Sequence, residues 1–266
     1  MKVVIFCGGE GTRLRDHTEI LKTLIKIGNK PVLVHIMEHY SYYGFNDFIV
    51  CLGYKGDMIK QYFLENKWRN SNLTISNGEV HHHDLKKDNW KITLVDTGKD
   101  STKAERLKAV ERFIKEGEDD RFFVSYGDDL SNVNLKKLLK FHENHHKIAT
   151  LTTIRPINQY GIINFNDENP NEIKGFKEKP QMTEWINGGF FVLNTSIFDY
   201  INPGDELEKE VMEKLTKEKQ LYAYKHQGFW KSMNTLKDVQ ELNELCDKGN
   251  TPWKEFECEI DSGETQ

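Results

Sequence analysis

Three short apolar runs, each closed by a glycine, constrain this chain more than any other feature. Residues 3–7, 48–52 and 122–126 are almost wholly apolar and lead straight into Gly8, Gly53 and Gly127. A strand that is apolar at every position has both faces buried, as strands do in a parallel sheet covered on both sides. Further strands are predicted over 91–95 and 149–154. Helical periodicity fills the gaps over 31–43, 56–65, 102–115 and 134–145, the first opened by Pro31 and ended by Gly44. Strands alternating with helices of this length imply an α/β fold, a parallel sheet with helices on both faces. Ligands of such sheets bind beyond the carboxyl ends of the strands, where strand order reverses. Here the loop after Cys7, the Gly53-Tyr54-Lys55 segment and Gly127-Asp128 all follow strand ends.

Beyond residue 155 the pattern shifts to short strands, predicted over 160–165 and 188–193. A charged helix is expected over 206–216 and a last one over 237–248, with a polar, frayed end at 261–266. The formal net charge of -5 argues against a non-specific nucleic-acid binder. No apolar run nears the roughly 20 residues that span a bilayer, and the N-terminus reads as a strand rather than a signal peptide. Cys7, Cys51, Cys246 and Cys258 lack metal-ligand spacing, and buried free thiols in a reducing compartment are expected at Cys7 and Cys51. The protein is placed in the cytoplasm, without nucleic-acid or membrane partners.

The loop Gly8-Gly9-Glu10-Gly11-Thr12-Arg13-Leu14 carries the chemistry. Glycines let backbone N–H groups approach a phosphate closely, and Arg13 adds a fork of charged donors. No Gly-Lys-Ser/Thr follows, so it is not a P-loop, and its third glycine comes too early for a dinucleotide fingerprint. Read onward through Lys22 and Lys30-Pro31, the string resembles the N-terminal signature of the sugar-1-phosphate nucleotidylyltransferase family. Within it, Gly53-Tyr54-Lys55-Gly56, residues 93–98, Tyr126-Gly127-Asp128, Glu178-Lys179-Pro180, residues 186–193 and Gly228-Phe229-Trp230 are similar to the glucose-1-phosphate cytidylyltransferases. The likeness runs from Met1 to about Trp253.

That resemblance implies a Rossmann-like, mostly parallel mixed sheet with helices on both faces, plus small sugar-binding and C-terminal additions. It divides the chain into a nucleotide-binding core at 1–155, a sugar-phosphate-binding part at 156–235 and a C-terminal helix and tail at 236–266. It implies catalytic roles for Arg13 and Lys22, and nucleotide contacts at Gly8, Gly9, Gly11, Thr12, Arg106 and Gly127. Sugar-phosphate contacts are implied at Gly161, Glu178, Lys179, Asn187 and Gly188, and Mg²⁺ ligands at Asp128 and Asn234. The implied substrates are CTP and a sugar 1-phosphate, and the implied assembly is a homo-oligomer.

Three departures from the family bear on the chemistry. Met233-Asn234-Thr235 stands where relatives carry Met-Asp-Thr, which removes a negative charge from the metal site and weakens Mg²⁺ binding unless Asp129 or Asp238 compensates. Lys103-Ala104-Glu105-Arg106 replaces a Thr-Gly-Gly-Arg turn, with Glu105 expected near phosphates or base. The stretch from Glu19 to Thr23 lacks prolines around Lys22. These departures leave open a different nucleotide or phosphorylated acceptor, or a catalytically weakened nucleotide-sugar-binding protein. His81-His82-His83-Asp84 reads as a solvated strand or subunit contact, because adjacent histidines of a strand face opposite ways. His142, His145 and His146 are expected at the surface, and Trp185 and Trp230 either in the core or against a sugar.

Overall fold

A computed structural model describes residues 1–9, 20–69, 72–83 and 89–257. Gly11, Thr12 and Arg13, Asp84, Cys258 and the tail at 261–266 lie outside the described residues.

The central sheet has seven strands: β1 (Lys2–Phe6), β4 (Asp47–Leu52), β7 (Lys91–Asp96), β8 (Arg121–Tyr126), β10 (Ala149–Ile154), β13 (Ile186–Asn194) and β14 (Leu221–Lys225). Their order is β14-β10-β13-β8-β1-β4-β7. Pairings within β1, β4, β7 and β8 are parallel, as is β10 with β14, while β13 runs antiparallel to both neighbours. Strand order reverses at β1, which lies between β4 and β8, so the ends of β1, β4 and β8 form one crevice.

Alternate residues of each strand feed two cores, as the pleat requires. Val3, Ile5, Phe48, Val50, Phe123 and Phe190 pack under α1 (Val32–Tyr42), with Leu33, Met37 and Tyr40. Val4, Ile49, Phe122, Val124 and Phe191 face α3 (Lys103–Ala109) and α4 (Glu111–Lys115) on the other side, with Leu107 and Ile114. Between α1 and α3 in the chain, α2 spans Gly56–Arg69 and follows β4.

The helix expected over 102–115 is two. Val110, at φ −98° and ψ 0°, ends α3 and starts α4. The charged stretch over 206–216 begins as a π-helical turn, Leu207–Val211, before α6 (Met212–Lys217). The helix α5 (Leu135–His145) precedes β10 and is capped by Asn134, whose Oδ1 accepts from Lys137 N at 2.9 Å.

Two hairpins leave the sheet. One is β5 (Asn72–Ser76) with β6 (Glu79–His83), which carries His81 in an exposed position as expected. The other is β11 (Ile162–Phe165) with β12 (Ile173–Lys177), inserted between β10 and β13. Ile163 pairs with Phe176 and Phe165 with Ile173, so these four share one face, and they are 43–62% exposed.

The expectation of surface histidines is corrected at His142, which is buried. Its Nδ1 shares a hydrogen bond with Thr150 Oγ1 and its Nε2 with Asn194 Oδ1, both at 2.8 Å. His145 Nε2 reaches the same threonine oxygen at 2.6 Å and its ring stacks on Tyr222. Burial holds both rings neutral, and pushes His145 and the fully enclosed His39 down to about 4.

These histidines fix the sign of the acid response. Above about pH 6.5 neither folded nor unfolded chain protonates them, so they leave stability unchanged. Below it the unfolded chain takes up protons that the folded chain refuses until about pH 4. Urea unfolding between pH 7 and pH 4.5 is expected to lose about 1.4 kcal/mol per pH unit to His39 in the lower part of that range. His39→Gln flattens the slope. An identical slope in parent and variant contradicts the assignment.

Candidate active site

The crevice at the strand ends is held from beneath by Arg106, 5% exposed in the first turns of α3. Its Nη1 donates to Leu52 O at 3.1 Å, Thr97 Oγ1 at 2.9 Å and Gly98 O at 2.7 Å; its Nη2 donates to Gly8 O at 3.2 Å and Lys99 O at 2.9 Å. One guanidinium therefore ties together the loops after β1, β4 and β7. Gly8 and Gly53 are required there: a Cβ on either would fall 2.1 and 2.5 Å from Arg106 Nη1. The Nη donors of Arg106, expected to meet a nucleotide, are turned into the protein in this structure, where one of them holds Gly8 O.

The cause is local. Thr102 and Glu105 make a reciprocal capping box, which starts a helix where the family pattern has a flexible turn. Glu105 is thereby spent on structure. Its Oε2 accepts from Thr102 N at 2.9 Å and its Oε1 from Gly204 N at 3.1 Å, so it does not face phosphates or base as expected.

Lys22 opens a 3-10 turn, Lys22–Leu24, flanked by the buried Leu21 and Thr23. Its ammonium forms an ion pair with Asp128 Oδ2 and donates to Asn234 Oδ1 at 2.9 Å. Asn234 reaches this point because β15 (Trp230–Ser232) pairs with β9 (Asp129–Ser131), and Met233 N donates to Asp128 O at 3.0 Å. The amide is fixed in orientation: Asn234 Nδ2 donates to Ser232 Oγ at 2.9 Å, and Asn234 N to Asp238 Oδ2 at 3.1 Å. Asp238 itself caps α7 (Leu236–Asp247) through Thr235 and pairs with Lys231, so it faces its own helix.

Asp129 lies behind this cluster, 3% exposed. Burial, then the charge of Asp128, push its carboxyl well above the ordinary carboxylate range. Only glycine fits opposite it. Gly189 has φ +78°, and a Cβ there would lie 2.2 Å from Asp129 Oδ2.

Asp128 Oδ2 and Asn234 Oδ1 are hard oxygen donors converging on one cation, here the Lys22 ammonium. That donor set suits Mg²⁺, which takes one or two carboxylates and completes its shell with phosphate and water. Among the described residues no three His, Cys, Asp or Glu side chains converge into a self-sufficient metal site.

The residues read as sugar-phosphate contacts fall in two places. Asn187 and Gly188 lie on β13; Gly188 O accepts from Trp230 Nε1 at 2.8 Å, and Asn187 Nδ2 donates to Tyr126 Oη at 2.9 Å. Gly161, Glu178 and Lys179 lie at the base of the β11–β12 hairpin. A Cβ on Gly161 would sit 3.0 Å from Glu178 Oε2, and Lys179, at φ +44°, holds its ammonium 3.7 Å from Glu178 Oε1. Gly9 faces open space, and Gly127 packs against Phe6 O and Cys7 Sγ. Trp185 is half-buried, with Arg155 and Lys225 each over its ring at 5.1 and 5.4 Å. Cys7 and Cys51 are buried free thiols, as expected. Sequence reasoning missed Tyr126, Ser232 and Gly189 as site neighbours. They are ordinary residue types whose place depends on strand pairing, and only the glycine pair 188–189 inside a strand marks a close approach.

A lysine bridged to a carboxylate thus lies at the switch point of a mixed α/β sheet, near Gly8, where the ligands of such sheets bind. The nucleotidyl transferase family model matches residues 2–248, and the chain belongs to that family. It is 41% identical over 264 residues to the glucose-1-phosphate cytidylyltransferase of Salmonella typhimurium, covering 97% of this chain and 100% of that one. It is 30% identical over 244 residues to a mannose-1-phosphate guanyltransferase of Candida albicans, covering 90% of this chain and 62% of that one. The crystal structure of HddC from Yersinia pseudotuberculosis has the same fold, with a TM-score of 0.65 at 22% identity over 92% of this chain and 99% of that one. No helix among the described residues is long and apolar enough to cross a membrane.

Removing the buried clamp tests its role. Arg106→Ala removes a charged donor from four backbone carbonyls and a buried hydroxyl and is expected to cost about 3–5 kcal/mol in urea unfolding. A variant as stable as the parent shows that the loops hold without it.

Proposed function

We propose that this chain transfers the CMP group of CTP to α-D-glucose 1-phosphate in a Mg²⁺-dependent reaction, releasing pyrophosphate and forming CDP-glucose. The observation that carries this reading is 41% identity, end to end, with a glucose-1-phosphate cytidylyltransferase. A phosphate oxygen of the sugar phosphate attacks the α-phosphorus, a new P–O bond forms, and the bond to the pyrophosphate oxygen breaks. Catalysis of this kind consists mainly of positioning and charge neutralisation.

Gly8, Gly9, Gly11, Thr12 and Gly127 would face the nucleotide, with Arg106 acting through Gly8. Arg13 and Lys22 would neutralise the triphosphate and the departing pyrophosphate. Gly161, Glu178, Lys179, Asn187 and Gly188 would hold the sugar phosphate. Mg²⁺ held by Asp128 and Asn234 would screen the phosphates from the incoming anion. Lys22, which now occupies both oxygens, would then be free to pair with phosphate. Because Asn234 contributes no charge, Asp128 would be the one carboxylate among these two residues to hold the cation, and tighter binding of Mg²⁺ is expected in Asn234→Asp.

The compartment we propose is the cytoplasm, where CTP is available. We also read the chain as self-associating, supported by the exposed apolar face of Ile163, Phe165, Ile173 and Phe176. Light scattering at micromolar concentration is expected to give a multiple of 31.2 kDa, and Phe165→Asp with Phe176→Asp to reduce it. A parent that scatters as a monomer sinks this point alone.

The activity is tested by pyrophosphate release from glucose 1-phosphate with CTP, UTP, GTP or dTTP. We expect turnover with CTP and a loss of at least about 100-fold in Lys22→Ala, the scale at which removing one charge-stabilising group acts. Equal turnover with all four triphosphates contradicts the choice of base. Asn234→Asp decides the second reading, a binding protein weakened by its neutral amide: a near-inactive parent that becomes active through this change supports it.

A further inference from the structure

The proposed function uses Asn187 but not the groups that orient it. Both ends of its amide are engaged: Nδ2 donates to Tyr126 Oη at 2.9 Å, and Oδ1 accepts from Gly189 N at 2.8 Å. One Nδ2 hydrogen and one Oδ1 lone pair remain, aligned by those two bonds. The Tyr126 hydroxyl accepts from Asn187 and donates its own proton to Glu208 Oε1. Glu208 stands in the π-helical turn Leu207–Val211, a local irregularity of the kind found at functional positions.

Glu208 Oε1 also pairs with the ammonium of Lys103, which rests 4.5 Å from the centroid of the Tyr126 ring. Lys103 belongs to α3, the helix that carries Arg106. Two more bonds fasten this helix start to the segment before Glu208: Thr102 Oγ1 to Asp205 O at 2.6 Å, and Gly204 N to Glu105 Oε1 at 3.1 Å. A continuous series of polar contacts therefore runs Lys103–Glu208–Tyr126–Asn187–Gly189. It begins on the helix that clamps the glycine loop and ends beside Asp129. Lys103 and Glu105 both fall in the segment that departs from the family turn, and both are used here.

We propose that Glu208 is a positioning residue: through the Tyr126 hydroxyl it fixes the Asn187 amide for a sugar hydroxyl, with Lys103 holding Glu208 in place. The inference rests on Asn187 contacting the sugar phosphate as proposed above. An acceptor-only carboxylate is the right group for the task. It forces the tyrosine proton outward, which leaves the tyrosine oxygen free to accept from Asn187 and so sets which way the amide faces. Burial, and then the charge of Glu208, raise the Tyr126 hydroxyl far above its ordinary range, so it stays protonated at every working pH.

The test is steady-state kinetics of Tyr126→Phe, Glu208→Ala, Glu208→Gln and the Tyr126→Phe/Glu208→Ala double variant, each checked for an unchanged thermal midpoint. Tyr126→Phe and Glu208→Ala are each expected to raise KM for glucose 1-phosphate about tenfold, the scale of one lost hydrogen bond. KM for CTP is expected to move less than about twofold on the same scale. The double variant is no worse than the worse single one, since both break the same series, and Glu208→Gln, whose amide oxygen still accepts from the tyrosine, recovers most of the loss. A wild-type enzyme that turns over while both single variants keep its KM for glucose 1-phosphate overturns the positioning role. So does a uniform loss in kcat and both KM values that follows a lowered thermal midpoint, which is what a merely structural role produces. A wild-type protein with no turnover overturns the proposed function, and this inference with it.

Discussion

One buried guanidinium organises the crevice. Arg106 brings a charged donor to the carbonyls of Gly8, Leu52, Gly98 and Lys99, which converge at a place where water has little access. With it, three loops from three adjacent parallel strands become one surface. The requirement propagates outward. Gly8 and Gly53 must lack side chains, α3 must begin early enough to bury its fourth residue, and Thr102 and Glu105 supply the cap that makes it begin there. The segment that departs from the family turn in sequence is a capped helix in the structure, and that helix places the guanidinium between the three loops.

The opposite wall is built by pairing across long sequence distance. β9 and β15 bring Asn234 to Asp128, and β13, running against its neighbours, brings Gly189 to Asp129 and Asn187 to Tyr126. The two acidic residues of this wall then take opposite parts. Asp128 is partly open and shares its charge with Lys22, whereas Asp129 is enclosed and favours its protonated form. A neutral Asn234 is consistent with that economy of charge, because Lys22 meets one carboxylate and one amide oxygen rather than two anions. The cluster carries little net charge before a ligand arrives, so the anionic substrates meet a cation that is held in place and not overwhelmed by neighbouring acids.

The fold was legible wherever burial is continuous along the chain. The runs ending at Gly8, Gly53 and Gly127 gave the strands on either side of the switch point, and their glycines located the crevice. Helix starts at Asn134 and the ends at Gly44 were readable because capping is a local matter. The direction of β13 was not, since an apolar strand reads the same in either orientation. Nor was the break at Val110, where the periodic pattern continues although the hydrogen bonding does not. β12 lacks a continuous apolar run, and β14, whose run is short, tyrosine-rich and mostly exposed, does not show the buried stretch that marked the others; both escaped. His142 was misplaced because a histidine on a polar helix gives no sign that a threonine and an asparagine wait across the sheet to satisfy both its nitrogens. The site followed the same division: Lys22, Asp128 and Asn234 were named by motif, but Tyr126, Asp129, Ser232 and Glu208 gain their roles only from tertiary pairing.

Phosphorus NMR of a complete reaction with CTP, glucose 1-phosphate and Mg²⁺ examines the whole construction at once. The sugar-phosphate and triphosphate resonances are expected to decline together, replaced in equal amounts by pyrophosphate and by the paired diphosphate signals of a nucleotide sugar. Pyrophosphate with CMP and intact glucose 1-phosphate, or an unchanged spectrum, contradicts this expectation.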